Sequence, residues 1–211
     1  MAFNHLTMRL PQCDIDAIRE LGAEIRADFN ENVAKEYQSA KLKMVEVGSW
    51  VGESTLLWAE TFDKVFAVDA WDLNLTDPTI PSNWWQEDSA QSPITEDDLH
   101  QCFDVFCENC GHLLFTKIFP CRGKSATWAR IWPGQVDLVY IDANHRYEEV
   151  KRDAAMWIGK VRPRGVLAFH DFGTYEGIVK FTMGGPWTLV VQIDRPGQPT
   201  LREKFIVRVR G

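Results

Sequence analysis

Residues 43–52 read Lys43-Met44-Val45-Glu46-Val47-Gly48-Ser49-Trp50-Val51-Gly52 and run straight into Glu53-Ser54-Thr55-Leu56. A short apolar, β-branched run closed by two glycines, with a helix-compatible segment behind it, predicts a buried strand that turns sharply into a helix. Glycine at such a turn lets the backbone pass close to a ligand, whose polar groups then meet free N–H groups at the helix N-terminus. The spacing is Glu-x-Gly-x-x-x-Gly, not the Gly-x-Gly-x-x-Gly of dinucleotide-binding enzymes.

The same alternation continues outward from this stretch. Lys43 to Val47, Lys64 to Val68, Phe115 to Phe119, Val136 to Ile141 and Gly165 to Phe169 read as strands buried on both faces. Helices are expected near Glu53 to Thr61, Glu96 to Gly111, Ser125 to Ile131 and Tyr147 to Lys160. Ahead of them, Ile15, Ile18, Gly22, Ile25 and Phe29 recur at helical spacing, with Asp14 placed as the N-cap. Trp187 to Ile193 and Lys204 to Val209 are two strands with no helix between them, joined by a turn holding Pro196, Gly197 and Pro199. The expected fold is α/β: a Rossmann-like, doubly wound, mainly parallel sheet with a C-terminal antiparallel hairpin strand.

The 211 residues suit one domain, read as a helical extension over 1–41 and a core over 42–211, with 72–95 as a lid or substrate loop. Pro78, Pro81, Pro93 and the pair Trp84-Trp85 mark that loop, where the tryptophans could stack on a flat acceptor or tuck onto the core. No apolar run approaches the roughly 20 residues needed to cross a bilayer, and residues 1–9 lack the apolar stretch of a signal peptide. The expectation is a cytoplasmic protein with no membrane partner. Its net charge of −7 argues against nonspecific nucleic-acid binding.

Three further segments carry chemistry. Val65-Phe66-Ala67-Val68-Asp69 puts a carboxylate at a strand end, where it could accept two hydrogen bonds from a ribose diol. Val136 to Ile141 leads into Asp142-Ala143-Asn144-His145-Arg146-Tyr147, and Val166 to Phe169 into His170-Asp171. Together with Glu46 to Gly52, these segments resemble the class I S-adenosylmethionine-dependent methyltransferases. The likeness is to the small-molecule type with Ile-Asp-x-x-His-x-Tyr and His-Asp motifs (methyltransferase family 24), and it covers roughly residues 42 to 175. The resemblance implies that Glu46, Gly48, Ser49 and Gly52 contact the methionine part of S-adenosylmethionine and that Asp69 binds its ribose. It also implies that Gly123, Lys124 and Ser125 border the adenine and that Asp142 faces the cofactor. Ala143, where the family usually has Gly, and the bulky Trp50 depart from the pattern.

Methyl transfer to a hydroxyl requires the nucleophile held close to the methyl group and its proton removed. His145, Asp142 and His170 are the catalytic candidates. His145 is the preferred general base, because an unperturbed imidazole titrates near neutral pH. Asp142 and Asp171 are candidate ligands for Mg2+ or another divalent cation that polarises the acceptor oxygen, as in the related metal-dependent O-methyltransferases. Competing functions are a nicotinamide-dependent oxidoreductase, which the glycine spacing disfavours, and a noncatalytic nucleotide-binding module that uses the Trp84-Trp85 loop to hold a partner. Asp142 and Asp171 could also serve merely as helix caps.

The five cysteines read as reduced thiols. Cys102, Cys107 and Cys110 have the spacing of an iron–sulfur site, but Leu99, Phe103, Phe106, Cys110 and Leu113 share a helical period, which favours core thiols. Charge is distributed unevenly. Between Val65 and Thr116 lie ten acidic residues and no Lys or Arg, leaving 23 basic against 20 acidic elsewhere. A negative rim at the mouth of the site would favour a neutral or cationic small-molecule acceptor. The N-terminal helix and the terminal hairpin are candidate surfaces for a homo-oligomer.

Overall fold

The computed structural model describes residues 10–35, 40–71, 102–144, 147–170, 185–193 and 201–209. The elements are α1 (Gln12–Asn32), β1 (Lys43–Val47), α2 (Glu53–Thr61), β2 (Lys64–Asp69), α3 (Cys102–Cys110), β3 (Ile118–Arg122), α4 (Ser125–Ile131), β4 (Val136–Ile141), α5 (Tyr147–Trp157), β5 (Val161–Phe169), β6 (Gly185–Ile193) and β7 (Leu201–Val209). They form one sheet in the order β3-β2-β1-β4-β5-β6-β7. The first five strands are parallel. β6 joins β5 in parallel at Val166↔Thr188, and β7 pairs antiparallel with β6 from Gly185↔Val209 to Ile193↔Leu201.

The central strands are apolar on both faces because each face has its own helical layer. Met44, Leu138, Tyr140 and Ala168 point into a cluster with Trp58 of α2, Phe106 of α3 and Ile18, Ile25 and Phe29 of α1. Their alternating neighbours Val45, Val47, Val139, Ile141 and Leu167 pack against Ala129 of α4 and Trp157 of α5. This period of two is the pleat of a sheet buried on both sides. The order in which strands are laid down reverses between β1 and β4, which run parallel, so the crevice expected of such a sheet opens at their carboxyl ends.

Two sequence expectations need correction. The third strand was expected at Phe115 to Phe119 but runs from Ile118 to Arg122. Phe115 instead sits in a turn with φ +58° and is 72% exposed. As the edge strand, β3 tolerates Pro120, which has no N–H to give to a further neighbour. Asp14 is not the N-cap of α1: the helix begins at Gln12 behind Pro11, whose carbonyl accepts the N–H groups of Asp14 and Ile15. The Asp14 side chain is thereby released for a tertiary contact.

α1 packs along α2, where Arg19 pairs with Glu60 and Arg26 with Asp63 and the Thr61 carbonyl. At its far end Asp28 meets Arg164 at 3.0 Å and Arg162 at 3.8 Å, at the start of β5. Arg162 also pairs with the buried Asp137, whose other oxygen accepts the Lys43 N–H at 2.7 Å. Asp14 and Asp28 lie about 21 Å apart along a helix rising 1.5 Å per residue, close to the height of the strand beside them. The helix thus spans the sheet from its basal edge to its carboxyl edge.

Candidate active site

Gly48 and Asp142 mark the floor of the crevice. Asp142 donates its N–H to the Val47 carbonyl at 2.8 Å, and Gly48 donates to Val68 at 2.9 Å, so the ends of β1, β2 and β4 are laced together. Gly48 has φ +91°, and a Cβ there would stand 2.3 Å from the Asp142 carbonyl oxygen. The close approach that excludes any side chain is therefore between two backbone segments, where the sequence suggested backbone against ligand. Gly52, at φ +87°, caps α2 and lies against Phe106 and Cys110.

Glu46, on β1, is fully buried. Thr55 of α2 donates its hydroxyl to Oε2, whereas Oε1 has no hydrogen-bond partner among the described residues, nor does the buried hydroxyl of Ser49. Burial pushes the Glu46 carboxyl up to about 7; the Thr55 hydroxyl and the nearby Ser54 and Ser49 hydroxyls pull the other way, and the charge of Asp142 adds to the rise. A buried carboxyl with one open oxygen is unstable as an isolated anion and well matched to a cationic ligand.

Asp69 is committed differently from expectation. Its Oδ2 accepts the N–H groups of Ser49 and Trp50, each at 2.9 Å, and its Oδ1 accepts that of Trp71 at 2.9 Å. A carboxylate offers about four lone pairs, and the Ala70 amide adds to these three, so a ribose diol would have to share them. Burial raises the Asp69 carboxyl, and these amides partly offset the rise.

On the next strand, Gly123 donates its N–H to the Asp69 carbonyl at 2.8 Å, and Lys124 forms the N-cap of α4. The hydroxyl of Ser125 is engaged elsewhere, donating to Asp153 at 2.7 Å and accepting from the Trp157 indole at 2.8 Å. The Ser125 hydroxyl keeps one acceptor lone pair, and no hydrogen to donate to a ligand.

The second half of the site lies where β4 and β5 end side by side. His170 Nδ1 stands 3.2 Å from Asp142 Oδ1, and its Nε2 3.5 Å from Asp14 Oδ2 of α1. The three side chains are 15–23% exposed, and the Tyr140 ring meets the imidazole edge-on at 6.3 Å. Sequence reasoning placed Asp142 and His170 together but missed Asp14. The sole local signal was a prolyl residue at position 11 already filling the cap.

His145, Asp171 and the Trp84-Trp85 loop lie outside the described residues. Among the described residues no group of three His, Cys, Asp or Glu side chains could hold a metal ion. Asp142, one of the two expected cation ligands, has its carboxylate against the His170 ring. Cys102 and Cys110 are buried one above the other on α3, and burial pushes the Cys110 thiol up to about 12, so they behave as core residues. No described helix is long and apolar enough to cross a membrane.

A family model described as a methyltransferase domain matches residues 45–172. An uncharacterized protein of Sinorhizobium fredii, y4gI, is 30% identical over 131 residues; the match covers 61% of this chain and 13% of that protein. The chain thus spans only a small part of the curated relative it matches. An O-methyltransferase from Bacillus cereus, solved with S-adenosylhomocysteine, aligns with a TM-score of 0.45 at 12% identity over 77% of this chain and 58% of that one. The O-methyltransferase TomG of Streptomyces achromogenes, solved with S-adenosylmethionine, aligns at 0.44 and 11% identity over 76% and 56%.

Proposed function

Because this chain belongs to the methyltransferase-domain family, we propose that it transfers a methyl group from S-adenosylmethionine to an oxygen of a small-molecule acceptor. The observation that carries the reading is Glu46: a fully buried carboxyl with an unpartnered oxygen at the carboxyl end of β1. The cofactor, when bound, supplies an electrophilic methyl on a sulfonium together with an ammonium group.

Glu46 is suited to receive that ammonium, with the turn at Gly48 and Ser49 supplying the adjoining wall and Gly52 opening α2. Asp69 shares its carboxylate between the turn amides and a ribose hydroxyl, and Gly123 with Lys124 borders the adenine through the turn before α4. These side chains bind and orient; they do not take part in bond making.

The acceptor sits on the other side, beside Asp142 and His170. His145, three residues after Asp142, is the proposed base for the acceptor hydroxyl, and the Asp142–His170 pair positions that hydroxyl and stabilises positive charge that builds up on proton transfer. Asp142 with Asp171 remains the place to look for a divalent cation. The segment from Val65 to Thr116, with ten acidic residues and no Lys or Arg, suits a neutral or cationic acceptor.

Turnover of methyl-labelled cofactor over a panel of hydroxylated acceptors, read against calorimetric binding of S-adenosylhomocysteine, tests the reading. Binding with turnover supports it. Binding without turnover on any acceptor class favours a noncatalytic nucleotide-binding module, and no binding at millimolar cofactor refutes both. A fluorescence titration with reduced nicotinamide cofactor separates the oxidoreductase alternative.

A further inference from the structure

Two bulky residues at the carboxyl edge of the sheet adopt left-handed backbone conformations, Trp50 at φ +44° and Trp71 at φ +42°. For residues of this size that region is sparsely populated, and it persists only where surroundings over-determine it. Here the surroundings are each other. The Trp71 indole donates to the Trp50 carbonyl at 2.6 Å, and both main-chain N–H groups end on the single carboxylate of Asp69, Trp50 on Oδ2 and Trp71 on Oδ1. Ser49 adds a third N–H, and Gly123 donates to the Asp69 carbonyl.

The lattice ties the turn after β1 to the exits of β2 and β3. Trp71 is 3% exposed and anchored from behind: its ring lies 4.9 Å from Phe103 and 4.7 Å from Phe106 of α3, and its carbonyl accepts from Arg122 at 3.4 Å. None of these contacts needs a ligand. They hold Ser49 and Trp50, in the turn that leads from β1 to the α2 N-cap Gly52, in one conformation before any ligand arrives.

The geometry points to Asp69 and Trp71 as a clamp that preorganises the cofactor turn, with Trp71 a positioning residue that acts through the Trp50 carbonyl. This rests on the cofactor reading above. It differs from that reading in making the main work of Asp69 the capture of backbone amides. A turn held in its binding conformation spares the ligand the cost of ordering it, so loosening the clamp weakens binding without touching a contact atom.

The test is Trp71→Phe, which keeps an aromatic ring against Phe103 and Phe106 but removes the indole donor, with calorimetry of S-adenosylhomocysteine and amide hydrogen exchange measured on the same protein. The clamp predicts an affinity about tenfold weaker and faster exchange at Trp50, with the exchange of β4 unchanged. Unchanged affinity overturns it, as does weaker binding with exchange at Trp50 unaltered. If the variant does not fold, the wild-type chain decides: the amides of Ser49, Trp50 and Trp71 should exchange as slowly as those of β1, and rapid exchange would refute the clamp. If wild type binds no S-adenosylhomocysteine, the cofactor reading fails, while the exchange measurements still judge the clamp.

Discussion

Asp14, in the first turn of the N-terminal helix, lies 3.5 Å from His170 at the end of β5. The contact joins a helix that precedes the family-matched region to the carboxyl ends of β4 and β5. A double-mutant cycle of Asp14→Asn with His170→Gln, read by urea unfolding, should give a coupling of roughly 0.5–1 kcal/mol, as for a partly exposed polar contact. Additive effects would mean that the helix end does not engage the histidine. Asp14→Asn should leave the affinity for S-adenosylhomocysteine within about twofold, because no cofactor contact is assigned to it.

Glu46 makes stability depend on pH in a defined direction. Its carboxyl is raised from an ordinary 4.5 to about 7. Below about pH 4.5 the group is neutral whether the chain is folded or unfolded. Between there and about pH 7 the unfolded chain has released its proton while the folded chain keeps it, so stability is lost as pH rises through that window. The gap amounts to roughly 3 kcal/mol, and the loss levels off above it. Glu46→Gln should abolish this decline, and the difference between the two urea-unfolding profiles isolates it. Parallel profiles would contradict the assignment.

Gly48→Ala should destabilise by at least about 3 kcal/mol, because a left-handed φ is combined with a collision at 2.3 Å against the Asp142 carbonyl. Gly134→Ala, at φ +97° with open space around it, is the control and should cost about 1–2 kcal/mol. Equal costs for the two would show that the backbones of β1 and β4 do not meet as described.

The basal ion pairs should separate by burial. Asp137→Ala leaves Arg162 and the Lys43 N–H without their carboxylate, and should cost about 3–5 kcal/mol. Arg19→Ala breaks a pair whose members are half exposed, and thermal unfolding should scarcely register it at moderate salt.

The strands were legible in the sequence where burial is two-sided. Runs such as Val136 to Ile141 have no polar face to blur them, and the strand has the expected limits. Phe115 misled because an apolar residue in an exposed turn resembles the start of a strand. The glycines were recognisable, but the neighbour that forbids a side chain at Gly48 comes from β4 and could not be seen from the turn alone. Asp69 likewise stood out at its strand end, yet its commitment to amides of the preceding turn is tertiary. Asp14 gave no hint beyond Pro11 at the cap, since its partner His170 is far away in sequence.

The central claim is that Glu46 and the turn after it hold the cationic end of S-adenosylmethionine. Calorimetry with S-adenosylhomocysteine at pH 6 in buffers of differing ionisation enthalpy tests it most directly. The account predicts one molecule bound per chain with release of close to one proton, because pairing with the ammonium drives the Glu46 carboxyl to ionise. That release should vanish at pH 8 and in Glu46→Gln. Binding with no proton release at pH 6, or no binding at millimolar ligand, would contradict it.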